Sequence, residues 1–165
     1  MAAAHLLTAV LLAVTAIQAV PVPEAWLDAD SFLSIFAFKG PVRWSNCGDP
    51  ATQSFNGTVT PNPPVRGQKV AGSISFVPDA DLIRGKIILN VWYNGSPAIQ
   101  VPFPICTPGA KAPEYCPMKK GVKVSAANTV AVPNYLKPGH YNGTAILLNQ
   151  DNHQILCVQA EGDLA

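Results

Sequence analysis

The residues with the most chemical capacity are four cysteines, Cys47, Cys106, Cys116 and Cys157, and three histidines, His5, His140 and His153. Four cysteines in an oxidising compartment suggest two disulfides, with three connectivities open. Cys106 and Cys116 flank the Pro/Gly-rich stretch TPGAKAPEY, which suits a local loop closure; Cys47 and Cys157 would then tie the start of the domain to its end. Metal binding fits poorly, because no CxxC or HxxxH spacing occurs and the histidines are scattered. Catalysis has little support as well. There is no Gly-x-Ser-x-Gly elbow and no recognisable motif of paired carboxylates, and no nucleophile is indicated beside His140 or His153. The chain therefore reads as a protein that is not an enzyme and needs no cofactor or metal.

Three sequons follow from Asn56-Gly57-Thr58, Asn94-Gly95-Ser96 and Asn142-Gly143-Thr144. Pro97 follows the second and disfavours its use, which leaves Asn56 and Asn142 as the expected glycosylation sites. Each sequon also holds an Asn-Gly pair, the usual dipeptide of a tight turn with positive φ. Lys119, Lys120 and Lys123 form a basic trio that either guides docking to anionic membranes or is an ordinary solvated face.

These residues need a scaffold, and composition describes it. The chain has 165 residues, enough for one domain, and 48% of them are apolar. Eleven Lys and Arg against ten Asp and Glu give a formal charge of +1, without the clustered basic face that nucleic acid requires. Charged residues make up 13%, about half the usual share, and there are 16 prolines. Residues 1–19 read as a signal peptide: an apolar run too short to span a bilayer, with small residues at Ala16 and Ala19 where a peptidase would cut. Residues 20–39 read as a leader or propeptide, and residues 40–162 as the domain proper.

Within that domain, period-2 alternation marks the strands. Val70, Gly72, Ile74 and Phe76 line one face, and Ile87, Leu89, Val91 and Tyr93 line another. Val122, Val124, Ala126, Val130 and Val132 make a third set, interrupted by Asn128. Residues 141–148 and 155–159 form a pair joined through a hairpin loop at 149–152, and earlier strands are expected near 34–44 and 53–60. Prolines punctuate the pattern at edges, bulges and loops. Seven or eight short strands of this kind predict an all-β, immunoglobulin-like β-sandwich of two antiparallel sheets.

Five local features go further: Trp44-Ser-Asn-Cys47-Gly48, Gly67-Gln68 opening a strand that ends at Phe76, Val101-Pro-Phe-Pro-Ile105, Cys116-Pro117, and Gly139-His-Tyr141 leading to Ile155-Leu-Cys157. In order and spacing they resemble the ML lipid-recognition domain family, most closely its Niemann-Pick type C2 branch of sterol carriers, across about residues 40–160. The resemblance implies a sandwich whose sheets splay around a lipid cavity, and the pairings Cys47–Cys157 and Cys106–Cys116. It also implies that Phe103, Val132 and Leu136 line the mouth of that cavity. Val101, Val70, Ile74, Val91, Val130 and Leu147, on apolar strand faces, are the further candidates for lipid contact. One departure is that these carriers commonly have a third disulfide in the region that here reads Pro61-Asn-Pro-Pro64.

The function so implied is a secreted, endosomal or lysosomal monomer that carries one sterol or phospholipid and touches membranes, or a membrane acceptor protein, transiently. A lipid-recognition co-receptor or innate-immune recognition protein of the same fold is the alternative. A sterol-sized ligand burying on the order of 400 Å² would gain roughly 10 kcal/mol before association costs, so apolar contact alone could give useful affinity.

Overall fold

The computed structural model describes residues 41–107 and 114–164; the expected signal peptide and leader lie outside them. Among the described residues eight strands follow in chain order: β1 (Arg43–Asn46), β2 (Phe55–Thr60), β3 (Lys69–Phe76), β4 (Gly85–Tyr93), β5 (Ser96–Ile105), β6 (Val124–Ala131), β7 (Gly139–Asn149) and β8 (Gln154–Leu164). They form two antiparallel sheets, one in the order β1-β8-β7-β4-β5 and one in the order β2-β3-β6. Among the described residues there is no helix. The chain is the all-β sandwich that its alternation predicts.

The pleat explains which residues face inward. In β7 the alternate residues Tyr141, Gly143, Ala145, Leu147 and Asn149 are buried while those between them are only partly so. Register carries this face across the sheet, with Val91 opposite Gly143, Leu89 opposite Ala145 and Ile87 opposite Leu147. In the smaller sheet Asn128, the polar break in the β6 pattern, stands opposite Gly72, where no side chain competes for the space.

Several local expectations are corrected. Only one Asn-Gly pair makes a turn: Asn94 and Gly95 take φ of 48° and 79° in the β4–β5 hairpin. Asn56-Gly57 lies inside β2, and Asn142-Gly143 lies inside β7 between β4 and β8. Continuous ladder bonds there outweigh the local preference for a turn. Val122 is outside β6 and exposed, because residues 119–122 close a turn through the Val122 N–H to the Lys119 carbonyl.

The strand expected over 53–60 begins at Phe55. Gln53 is instead drawn inward: its Nε2 donates to the Gln154 carbonyl at 2.8 Å, and the Gln53 carbonyl accepts from Asn46 Nδ2. The strand expected over 34–44 begins, within the described residues, at Arg43. Pro97, Pro102 and Pro104 all fall within β5 without breaking it, since among the described residues β5 is an edge strand that pairs only with β4.

Cys47 is bridged to Cys157, with Cα atoms 5.0 Å apart, and Cys106 to Cys116, at 5.4 Å. The first bridge anchors the end of β1 to β8, and the second closes the chain leaving β5.

Two hydrophobic clusters occupy the space between the sheets. The first joins Val70, Leu89, Val91, Phe103, Val132, Tyr141 and Leu164, near the end of the sandwich where β6 passes to β7. The second joins Phe76, Leu82, Ile105, Met118, Val124, Leu147 and Ile155, near the opposite end.

Candidate functional site

The end of the sandwich above the first cluster is built from loop 61–68, the turn at Asn94-Gly95 and loop 133–138. These loops are tied to each other by backbone bonds: Gly67 N–H donates to the Val132 carbonyl at 2.8 Å, and Val132 N–H to the Gln68 carbonyl at 2.9 Å. Gly67 is required here. Its φ is +75°, and a Cβ at that position would come within 2.5 Å of Asn134 Oδ1.

Loop 133–138 itself is fastened by three side chains that donate to successive carbonyls. Arg66 Nη1 reaches Leu136 at 3.2 Å, Tyr141 hydroxyl reaches Lys137 at 2.9 Å, and Tyr93 hydroxyl reaches Pro138 at 2.8 Å. The two tyrosine rings lie 5.1 Å apart at 47°. Burial, and secondarily Tyr93, push the Tyr141 phenol above its ordinary pKa, against the opposing charge of Arg66. Tyr93, Tyr141 and Arg66 were not among the lipid-contact residues inferred from sequence. Their signal was slight, since Tyr93 ends an apolar face and Arg66 resembles any loop arginine.

Most of the residues inferred from sequence are brought together at this end. Phe103 is 6% exposed and Val132 2%, both in the first cluster with Val70 and Val91. Val101 and Leu136 are partly buried against the same cluster. Val130 faces inward on β6, directly opposite Val70 in register, and is half-buried. Ile74 and Leu147 belong to the second cluster instead, toward the far end. Eight of the nine positions thus divide between the two clusters, with Val130 beside the first through its pairing with Val70, and strand identity alone does not distinguish them: Val70 and Ile74 share one face of β3.

The far end has a different character. Lys119 and Lys123 border an open groove of about 650 Å³, together with Glu114, Tyr115 and Met118. Carboxylates intersperse these cations, and the Lys120 N–H donates to Asp81 Oδ1 at 2.7 Å. His153 Nε2 lies 3.1 Å from Asp79, and at the other end His140 Nδ1 lies 2.9 Å from Asp163. Among the described residues no group of His, Cys, Asp or Glu could hold a metal ion, and no helix is long and apolar enough to cross a membrane. Asn56 is exposed on edge strand β2, whereas Asn142 sits on an interior strand with its Oδ1 buried and without a hydrogen-bond partner among the described residues.

Comparison with known proteins places this architecture. The family model described as the ML domain matches residues 41–164. The chain belongs to the ML domain family. A Dictyostelium discoideum protein named for phosphatidylglycerol/phosphatidylinositol transfer is 31% identical over 119 residues, which span 70% of this chain and 80% of the relative. The phosphatidylglycerol/phosphatidylinositol transfer protein of Aspergillus fumigatus is 27% identical over 132 residues, 78% of this ML chain and 75% of the relative. Among solved structures, chicken MD-1 complexed with lipid IVa superimposes with a TM-score of 0.63 at 17% identity, covering 75% of this chain and 90% of that one. A Niemann-Pick type C2 protein from Japanese carpenter ant gives 0.53 at 18% identity, covering 74% and 99%. At those identities the two structures speak for the fold alone.

Proposed function

We propose that this ML domain takes up one lipid between its sheets and transfers it between membranes, without catalysing a reaction. The observation that carries this reading is the first cluster. It draws Val70 from one sheet, Val91, Val101 and Phe103 from the other, and Val132 and Leu136 from the segment following β6 into one apolar body. It lies directly beneath a loop that side chains hold. Opening that loop breaks three side-chain hydrogen bonds, each with a net worth of about 0.5–1.5 kcal/mol, whereas parting two strands breaks a whole ladder. A lipid can therefore be admitted at this end while both sheets stay intact. Phe103, Val132 and Leu136 then line the mouth, and Val70, Val91, Val101 and Val130 the wall behind it. Ile74 and Leu147, at the far end, would meet only the tail of a long ligand.

The relatives' names favour phosphatidylglycerol or phosphatidylinositol as the cargo. A sterol is the second reading, favoured by the Val101–Ile105 segment through which this chain resembles the sterol-carrying branch. Two disulfides suit an oxidising compartment, either the extracellular space or an endosomal or lysosomal lumen. The test is transfer of fluorescent phosphatidylglycerol, and in parallel of a fluorescent sterol, from donor to acceptor vesicles. The expected result is a transfer rate that rises with protein concentration, greater for the phospholipid. Transfer of neither lipid would refute the carrier reading.

A further inference from the structure

We propose that Arg66 is a headgroup site, whose guanidinium takes the phosphodiester of a glycerophospholipid with its acyl chains in the first cluster. The proposal rests on the carrier reading and adds to it the residue that selects a phosphate-bearing lipid.

Arg66 is half-buried, and among the described residues its one hydrogen bond runs from Nη1 to the Leu136 carbonyl at 3.2 Å. No carboxylate pairs with it among the described residues, whereas Arg43, His140 and His153 each face one, in Glu161, Asp163 and Asp79. A guanidinium carries five N–H donors in a planar fork that matches a phosphate bidentately, so most of this fork is uncommitted. A partly desolvated cation without a counter-charge is unfavourable, and an anionic ligand relieves that cost.

The location agrees with such a ligand. Leu136, which accepts from Arg66, packs against the first cluster, and Gly67, the next residue, bonds to Val132 within it. A lipid whose chains enter there leaves its phosphate at Arg66. Loops 61–68 and 133–138 contain no Asp or Glu, while Lys137 lies in one and Lys69 directly follows the other, both exposed. At this end Asp163 faces His140, whereas at the far end Asp79, Asp81 and Glu114 accompany the lysines. On the same rim Val65 is 47% exposed and Tyr135 64%. An apolar residue and an aromatic flanked by cations suit the boundary of an anionic bilayer, from which the lipid would be taken.

The experiment measures equilibrium binding by the purified protein and its Arg66→Gln and Arg66→Lys variants to three vesicle-borne ligands. These are phosphatidylglycerol, the matching diacylglycerol without a phosphate, and a fluorescent sterol. The water-soluble headgroup glycerophosphoglycerol is measured alongside, and circular dichroism melts check folding. The expected result is a loss of about tenfold or more for phosphatidylglycerol in Arg66→Gln, against a loss at least about threefold smaller for diacylglycerol and sterol, which lose only the loop's hydrogen bond, and much of the phosphatidylglycerol loss restored in Arg66→Lys. If Arg66→Gln weakens all three lipids alike, or lowers the melting temperature in step with binding, Arg66 only fastens the loop and the proposal fails. Unchanged phosphatidylglycerol binding also overturns it, while the carrier reading stands. Glycerophosphoglycerol bound as tightly as the lipid would mean a site for free phosphate esters and would overturn the assignment to a lipid headgroup. A parent protein that binds none of the three lipids defeats the carrier reading itself.

Discussion

Substituting phenylalanine for Val132 distinguishes a lipid mouth from an ordinary core position. Val132 is 2% exposed, and by exposure alone it matches Leu89, which is fully buried in the same cluster. Their settings differ. Leu89 lies in the middle of β4, bonded to β5 on one side and β7 on the other. Val132 comes one residue after β6 and opens the loop that Arg66, Tyr93 and Tyr141 hold. Overpacking a filled core costs typically about 1–3 kcal/mol, and each kcal/mol moves the melting temperature of a domain of this size by about 3–5 °C. Leu89→Phe should therefore lower it by about 3–15 °C. On the carrier reading Val132→Phe should cost less than about 1 kcal/mol, because the added ring would extend into the space that opens for lipid, and so shift melting by less than about 5 °C. The same ring then occupies the ligand's place and should weaken phospholipid binding at least tenfold. Melts of the lipid-free proteins, followed by titration with fluorescent phosphatidylglycerol, provide both numbers. The reasoning is refuted if Val132→Phe is destabilised as much as Leu89→Phe, or if it binds lipid as well as the parent.

The disulfides should contribute unequally: bridges spanning 110 and 10 residues give about 4.7 and about 2.7 kcal/mol on the chain-entropy estimate, a gap of about 2 kcal/mol to be read by urea unfolding of Cys47/Cys157→Ala against Cys106/Cys116→Ala. Asn149→Ala should destabilise by about 2–3 kcal/mol and leave lipid binding unchanged. The buried Asn149 accepts from the Asp151 and His153 N–H groups at 3.0 and 2.9 Å and donates to the Asp81 carbonyl at 3.2 Å, all at the end remote from the mouth.

What the sequence conveys here is period and punctuation. Alternation in 70–76 and 87–93 is enough to assign inward faces, because one face of each strand is buried and a one-residue slip would expose it. What it does not convey is position along the sandwich. Val70 and Ile74 are equivalent by pattern, yet one belongs to the cluster at the loop end and the other to the cluster beyond it. The Asn-Gly pairs show the same limit: an identical dipeptide is a turn at 94 and strand interior at 56 and 142, and the partner strands decide. Buried polar anchors were equally silent. Gln53 and Asn149 look like loop residues until Gln154 and Asp81, far away in sequence, come alongside them. Arg66 belongs with these, since only folding shows that no carboxylate among the described residues pairs with it.

The central claim is that this ML domain holds one lipid between its sheets. Native mass spectrometry of the protein purified from its own source, with the bound species released and fragmented, tests it most directly. The account predicts one adduct per chain, with the mass and fragments of a glycerophospholipid, lost when the Val132→Phe variant is purified in the same way. A protein that emerges free of lipid from its native source, or an adduct equally abundant on Val132→Phe, would contradict the account.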